Sequence, residues 1–199
     1  MEILIATENT HKVEELSSIF VGHHLHTPAD RGIDYSYEEK GSTFLENSLG
    51  KARELFSLVG GEMAVIADDS GLVVPALNGE PGIYSARYGS DSSGQKLDTL
   101  QRNRYLLQKM EELTDRRAYF VCCMVLIVSD QRFFVSQETL QGNITYSPRG
   151  TNGFGYDPLF HLEEYRKTVA ELPEELKNRI SHRGRAAFRI RAIIETLQD

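Results

Sequence analysis

"RRAYFVCCMVLIVSDQRFFVSQETLQGNI" occupies residues 116–144, and how it folds decides the class of the whole chain. Both arms are rich in β-branched and aromatic residues, and Ser129 to Arg132 supply a turn region between them. That pattern is a long β-hairpin. Working outward, the upstream half alternates strand-like and helix-like runs. A strand is predicted at Glu2 to Ala6, a helix at Thr10 to Phe20 and a short strand at His24 to Thr27. A longer helix spans Thr43 to Val59, because Phe44, Ser48, Ala52, Leu55 and Val59 recur at helical spacing. Thr43 and Glu46 fit a capping box at its start, and Gly60-Gly61 stop it. Strands follow at Ala64 to Ala67 and Leu72 to Val74, then a helix at Gln95 to Leu113. The final helix, His182 to Leu197, turns Ala186, Ile190, Ile193 or Ile194, and Leu197 inward. Alternating helices and strands followed by a hairpin predict an α/β protein with a mixed central sheet flanked by helices. With no internal repeat, low-complexity tract or linker, residues 1–199 read as a single domain.

Composition narrows the function classes. A formal charge of −7 argues against coating a nucleic acid polymer or docking on an anionic membrane through a basic face. No run approaches the roughly 18 apolar residues of a spanning helix. The start, "MEILIATENTHK", reads as a strand rather than a signal peptide. Adjacent Cys122 and Cys123 face opposite sides of a strand and read as reduced core residues of a cytoplasmic protein.

The chemistry gathers where elements end. Thr7, Glu8 and Asn9 form a strand-to-helix turn, with Thr10, His11 and Lys12 opening the helix. Such junctions offer free N–H groups to phosphate. The ordinary alternative is that Asn9 caps the helix and Lys12 is a solvated lysine. In "EEKGSTFLENSLGKA", Glu39 lies in the loop, and Asn47 and Lys51 share one helix face that could reach a polyphosphate. "IADDSGL" sets Asp68 and Asp69 after an apolar run. If the strand continues, they face opposite sides, and one can hold Mg²⁺ while the other anchors the turn. An Asx-type turn between two strands is the competing explanation. "RGTNGFGYDPLF" flanks Phe154 with glycines, which suits an aromatic face offered to a base or a ring packed inward. "KNRISHRGRA" places Lys177, His182 and Arg183 around a helix start capped by Ser181. Together these segments describe a nucleoside polyphosphate site with Mg²⁺.

The same segments resemble the inosine triphosphate pyrophosphatase, or Ham1-like, family. The matching stretches are "ATENTHKVEEL", "EEKGSTFLENSLGKAR", "ADDSGLVVPALNGEPGIYSARYG", "GTNGFGYDPLF" and "KNRISHRGRA", in the family's order across most of the chain. The resemblance implies two lobes around an active-site cleft, a homodimer, and Mg²⁺-dependent cleavage of ITP, dITP or XTP to the nucleoside monophosphate and pyrophosphate. It implies that Thr7, Glu8, Asn9, Thr10, His11 and Lys12 contact substrate, with Lys12 and Lys51 on the phosphates. Glu39 and Asp69 would hold or orient the metal, Asp69 would be the general base, and Ser70 would touch phosphate. Phe154, Gly155, Tyr156 and Asp157 would contact the nucleoside, with Phe154 stacked on the base. Lys177, His182 and Arg183 would read the base edge. Glu8 and His11 depart from the residues frequent in the family's first loop, without removing a functional group. A related pyrophosphatase with another base preference, or a nucleotide sensor without turnover, is the alternative. The retained carboxylates weigh against a sensor, since phosphate capture gains nothing from uncompensated anions.

Overall fold

In the computed structural model, which describes residues 1–90 and 97–197, seven strands are hydrogen-bonded in the order β2-β1-β3-β4-β5-β6-β7. Their ranges are β1 Glu2–Ile5, β2 His24–His26, β3 Ala64–Val73, β4 Arg117–Ser129, β5 Arg132–Ile144, β6 Phe160–Leu162 and β7 Lys167–Thr168. β1 pairs in parallel with β2 and β3, whereas β6 is antiparallel to β5 and β7. The sheet is therefore mixed, as the sequence predicts. The helices are α1 Thr10–Ile19, α2 Phe44–Leu58, α3 Thr99–Lys109, α4 Glu174–Ile180 and α5 His182–Thr196. Among the described residues, no helix is long and apolar enough to cross a membrane.

The chain gathers into two compact units. The first comprises Met1–Ser70, Cys122–Glu138 and Ser181–Asp199; the second comprises Gly71–Val121 and Thr139–Ile180. β3, β4 and β5 contribute residues to both.

In the first unit, strand alternation sorts the core into two clusters. Ile3, Ile5, Ile66, Cys122, Met124 and Leu126 pack with Leu16 and Ile19 of α1 and Ala187, Ile190 and Ile194 of α5. Their neighbours Leu4, Ala6, Val65, Ala67, Val125 and Ile127 pack with Ala52, Leu55 and Phe56 of α2. Successive strand side chains point to opposite faces, so one sheet face belongs to α1 and α5 and the other to α2. Cys122 and Cys123 are both free and buried. In the second unit, Leu72, Leu106, Met110, Phe120, Tyr156, Phe160 and Leu172 share one cluster, with the Phe120 and Phe160 rings 4.4 Å apart.

Two sequence expectations are revised. Two strands were expected around Asp68 and Asp69, but β3 runs unbroken through both, which removes the turn. The third helix was expected to start at Gln95, which lies outside the described residues; within them α3 begins at Thr99, where Asp98 and Gln101 form a reciprocal capping box. At α2, Thr43 Oγ1 accepts from the Glu46 N–H as expected, and the Glu46 carboxylate takes the hydroxyl and N–H of Ser42 as well as the Thr43 N–H, which together lower its pKa.

Candidate active site

The continuity of β3 fixes the site of the first unit. Asp68 continues the face of Ile66 and meets α1 and α5. Asp69 continues the face of Val65 and Ala67 and meets α2.

On the α1/α5 face, the Asp68 side chain is fully buried. Its Oδ2 accepts from Lys12 Nζ at 2.8 Å, the Ser70 hydroxyl at 3.1 Å and Arg183 Nε at 3.4 Å. Arg183 also donates to Glu15 at 2.8 Å and to the Ser70 hydroxyl oxygen at 2.7 Å. Burial pushes the Asp68 carboxyl up, but Lys12, Arg183 and Lys51 outweigh it and hold the group far below the usual carboxylate range. Asp68 Oδ1 is buried and has no hydrogen-bond partner among the described residues.

On the α2 face, Asp69 Oδ2 accepts from Asn47 Nδ2 at 3.0 Å, and its Oδ1 accepts from the Ser70 N–H at 2.9 Å. Lys51 Nζ lies 2.7 Å from Glu39 Oε1 and 3.9 Å from Asp69 Oδ1. Asn47 is held in turn by the Gly41 N–H, which donates to its Oδ1 at 2.8 Å. Burial, aided by Glu39, raises the Asp69 carboxyl above its ordinary value against the pull of Lys51. Burial lowers Lys51, but Asp69, Asp68 and Glu39 more than offset it, so the amine stays cationic. Adjacent carboxylates are thus driven apart: Asp68 is a locked anion, and Asp69 has the raised proton affinity that suits a base.

The loop before α1 is ordered by its cap. Asn9 Oδ1 accepts from the N–H groups of His11 and Lys12 at 3.1 and 3.4 Å, and Thr7 Oγ1 accepts from the Asn9 N–H at 3.2 Å. Glu8, Asn9, Thr10 and His11 are exposed, so the extra carboxylate of Glu8 is solvated. Lys12 is not the solvated lysine of the ordinary explanation; its amine is bound to Asp68.

The second unit builds a perch for Phe154. Gly153 and Gly155 adopt left-handed φ values of +73° and +63°. A Cβ on Gly153 would run into the Asp157 carboxylate. Asp157 Oδ2 accepts from the Phe154 N–H at 2.9 Å and from Lys177 Nζ at 2.7 Å. Lys177 Nζ lies 4.8 Å from the centroid of the half-buried Phe154 ring. Tyr156 points into the core and is 4% exposed.

Lys177 and Arg183, both expected at the base edge, are thus bound to carboxylates. His182 is buried at the start of α5. The sequence also yielded Asn47 as a phosphate donor, whereas its amide is held by Asp69. Glu15 was not singled out at all. Its signal was present: Lys12, Glu15, Leu16 and Ile19 share one helical stripe, and Arg183, Ala187, Ile190 and Ile194 share another.

Fold and site define, first, an α/β protein whose sheet carries a buried acid–cation centre on both faces of one strand. The relationship is then specific. Residues 3–193 match the sequence model of the Ham1 family, and the chain belongs to that family. A dITP/XTP pyrophosphatase of Treponema denticola is 46% identical over 195 residues, covering 98% of this chain and 99% of its own. One from Legionella pneumophila is 45% identical over 197 residues, covering 97% and 98%. Among solved structures, the Ham1 protein of Staphylococcus aureus matches with a TM-score of 0.86 at 41% identity, covering 99% of this chain and 100% of its own. A HAM1 protein from Coxiella burnetii matches with a TM-score of 0.87 at 34% identity, covering 98% and 99%.

Proposed function

We propose that this protein hydrolyses deaminated purine nucleoside triphosphates, ITP, dITP and XTP, to the monophosphate and pyrophosphate. The observation that carries the proposal is the division of labour across β3, with Asp68 neutralised by Lys12 and Arg183 on one face and Asp69 raised in proton affinity on the other. The names of the relatives support the choice of substrate, and the family match over residues 3–193 supports treating the chain as one functional domain.

Asp69 is the proposed general base, taking a proton from the water that attacks the α phosphorus. Lys51 and Lys12 offset charge on the leaving pyrophosphate, with Thr7 to His11 and Ser70 supplying donors. Phe154 stacks on the purine; Gly155, Tyr156 and Asp157 shape its turn. His182 serves the base edge, together with Lys177 and Arg183 to the extent that a bound base draws them from their carboxylates.

Mg²⁺ is the proposed cofactor, held by Glu39 and Asp69. Among the described residues there is no group of three or more His, Cys, Asp or Glu placed to hold a metal. Mg²⁺ fits that donor set, because it commonly takes one or two carboxylates and completes its shell with water and substrate phosphates. Burial, with Glu39 as a lesser contribution, raises the Asp69 carboxyl, and a cation held by the two carboxylates would offset both effects. When bound, the ion would lower the pKa of a coordinated water and offset phosphate charge. A cytoplasmic homodimer is the proposed state, the free Cys122 and Cys123 fitting a reducing compartment.

The test is a panel of ITP, XTP, GTP, ATP and modified pyrimidine triphosphates, followed by phosphorus NMR. ITP is expected to give IMP and pyrophosphate in equal amounts, chelation to stop the reaction and Mg²⁺ to restore it. Stepwise release of single phosphates would refute the cleavage position. Faster turnover of a pyrimidine would favour the other base preference, and binding without products would favour a sensor.

A further inference from the structure

Ser85 lies in the short 3-10 segment Gly82–Arg87 of the second unit and is 7% exposed. Its hydroxyl and its carbonyl are both engaged. Its hydroxyl oxygen accepts the Leu72 N–H at 2.8 Å and donates to the Gly82 carbonyl at 2.6 Å. Its own carbonyl accepts the Tyr156 hydroxyl at 2.9 Å. The next residue is tied to the same ring: Arg102 donates to the Ala86 carbonyl at 2.6 Å while its guanidinium lies 6.0 Å from the Tyr156 centroid. Burial pushes the Tyr156 phenol well above its ordinary value, so its hydroxyl stays a donor at any working pH.

Tyr156 follows Phe154 by two residues, in a turn whose glycines supply no side-chain packing of their own. On the near side, Asp157 and Lys177 clamp the Phe154 backbone and ring. The hydroxyl of Tyr156 reaches a distant segment, and Ser85 joins that segment to the backbone of β3 through Leu72. A tie of two buried hydrogen bonds in series holds its ends far more firmly than a solvated contact, because neither group can exchange its partner for water.

We propose that Ser85 is a positioning residue for the Phe154 platform: acting through Tyr156, and touching no substrate itself, it sets the place where the purine ring stacks. This inference rests on the reading that Phe154 stacks on the base.

The experiment uses the full chain with Ser85→Ala, Ser85→Thr, Tyr156→Phe, the double variant and Phe154→Ala. IMP affinity is measured by calorimetry, tripolyphosphate as a competitive inhibitor, ITP turnover by pyrophosphate release, and melting temperature alongside. Ser85→Ala, which loses the Gly82 bond as well as the Leu72 link, and Tyr156→Phe, which loses the link to the Ser85 carbonyl, are each expected to weaken IMP binding and raise the ITP KM by about tenfold, the scale of the one buried hydrogen bond each removes from the tie. The tripolyphosphate inhibition constant and kcat should hold. Ser85→Thr, which keeps the hydroxyl, should restore IMP affinity. The double variant should be no weaker than the worse single one, because both changes cut the same tie. If Ser85→Ala does not fold, Tyr156→Phe carries the test, since it keeps the ring. A lower melting temperature with wild-type IMP affinity would make Ser85 a fold tie only and overturn the inference. Equal losses for tripolyphosphate and IMP would overturn it as well. Phe154→Ala with unchanged IMP affinity would instead remove the stacking reading, and the inference with it.

Discussion

Asp68 and Asp69 are adjacent in sequence and opposite in chemistry. Asp69→Asn keeps the shape and one acceptor oxygen, enough for either the Asn47 amide or the Ser70 N–H but not both, and removes the charge that meets Lys51. Turnover of ITP is expected to fall by about 10²–10⁴-fold, the usual range for a lost general base, while IMP still binds. Near wild-type turnover at saturating Mg²⁺ would assign the chemistry to another carboxylate. Asp68→Asn should act on stability instead. It leaves half-buried Lys12 against a neutral group and buried Arg183 with fewer anionic partners. Breaking a buried pair in this way costs about 3–5 kcal/mol, readable by denaturant unfolding. The sign with pH follows from the depressed Asp68 carboxyl. Its stabilisation is fully present above the unfolded carboxyl pKa of about 4 and is lost as pH falls through the lower folded value. Asp69, with its raised value, has the opposite slope, so the comparison must be between wild type and Asp68→Asn. The variant's stability should fall less steeply below pH about 4; parallel acid curves would show that the Asp68 charge contributes nothing.

At the scale of elements, caps were the most legible feature. Thr43, Asn9 and Ser181 all cap the helices they precede. Ser181 Oγ accepts from the Gly184 N–H at 3.0 Å in a buried setting, and the helix it starts carries Arg183 to Asp68. Ser181→Ala should therefore destabilise by about 1 kcal/mol, and Ser181→Asp should recover much of it through the same acceptor; equal unfolding midpoints for all three proteins would deny the cap any role. The unbroken β3 was not legible as such, because aspartates are poor strand residues. What makes them tolerable is non-local: cations from α1 and α5 on one face, an amide and a lysine from α2 on the other. Local propensity carries no trace of such partners. β6 and β7, three and two residues long, are equally invisible, since pairing rather than composition defines them.

For the whole molecule, the hairpin and the early alternation were enough to give the mixed sheet, because periodicity over long segments is a strong signal. Several candidate residues were legible by type and place in the chain: Glu39, Lys51 and Asp69 gather on the α2 face of β3, while Lys12 meets Asp68 on the other. Their partners were less so. Arg183 and Lys177 read from sequence as free donors, yet a cation near the end of a helix gives no hint that a carboxylate 115 or 20 residues away holds it.

The two-faced strand also constrains how this lineage can change length. Inserting one residue into β3 ahead of Asp68 would turn each aspartate to the other face, setting the base among the cations of α1 and α5 and the locked anion beside Lys51. Two inserted residues would restore the faces but carry both carboxylates about 6.6 Å along the strand, away from their partners. Loops can grow and shrink around such a strand over evolutionary time; the strand itself can be substituted but not resized.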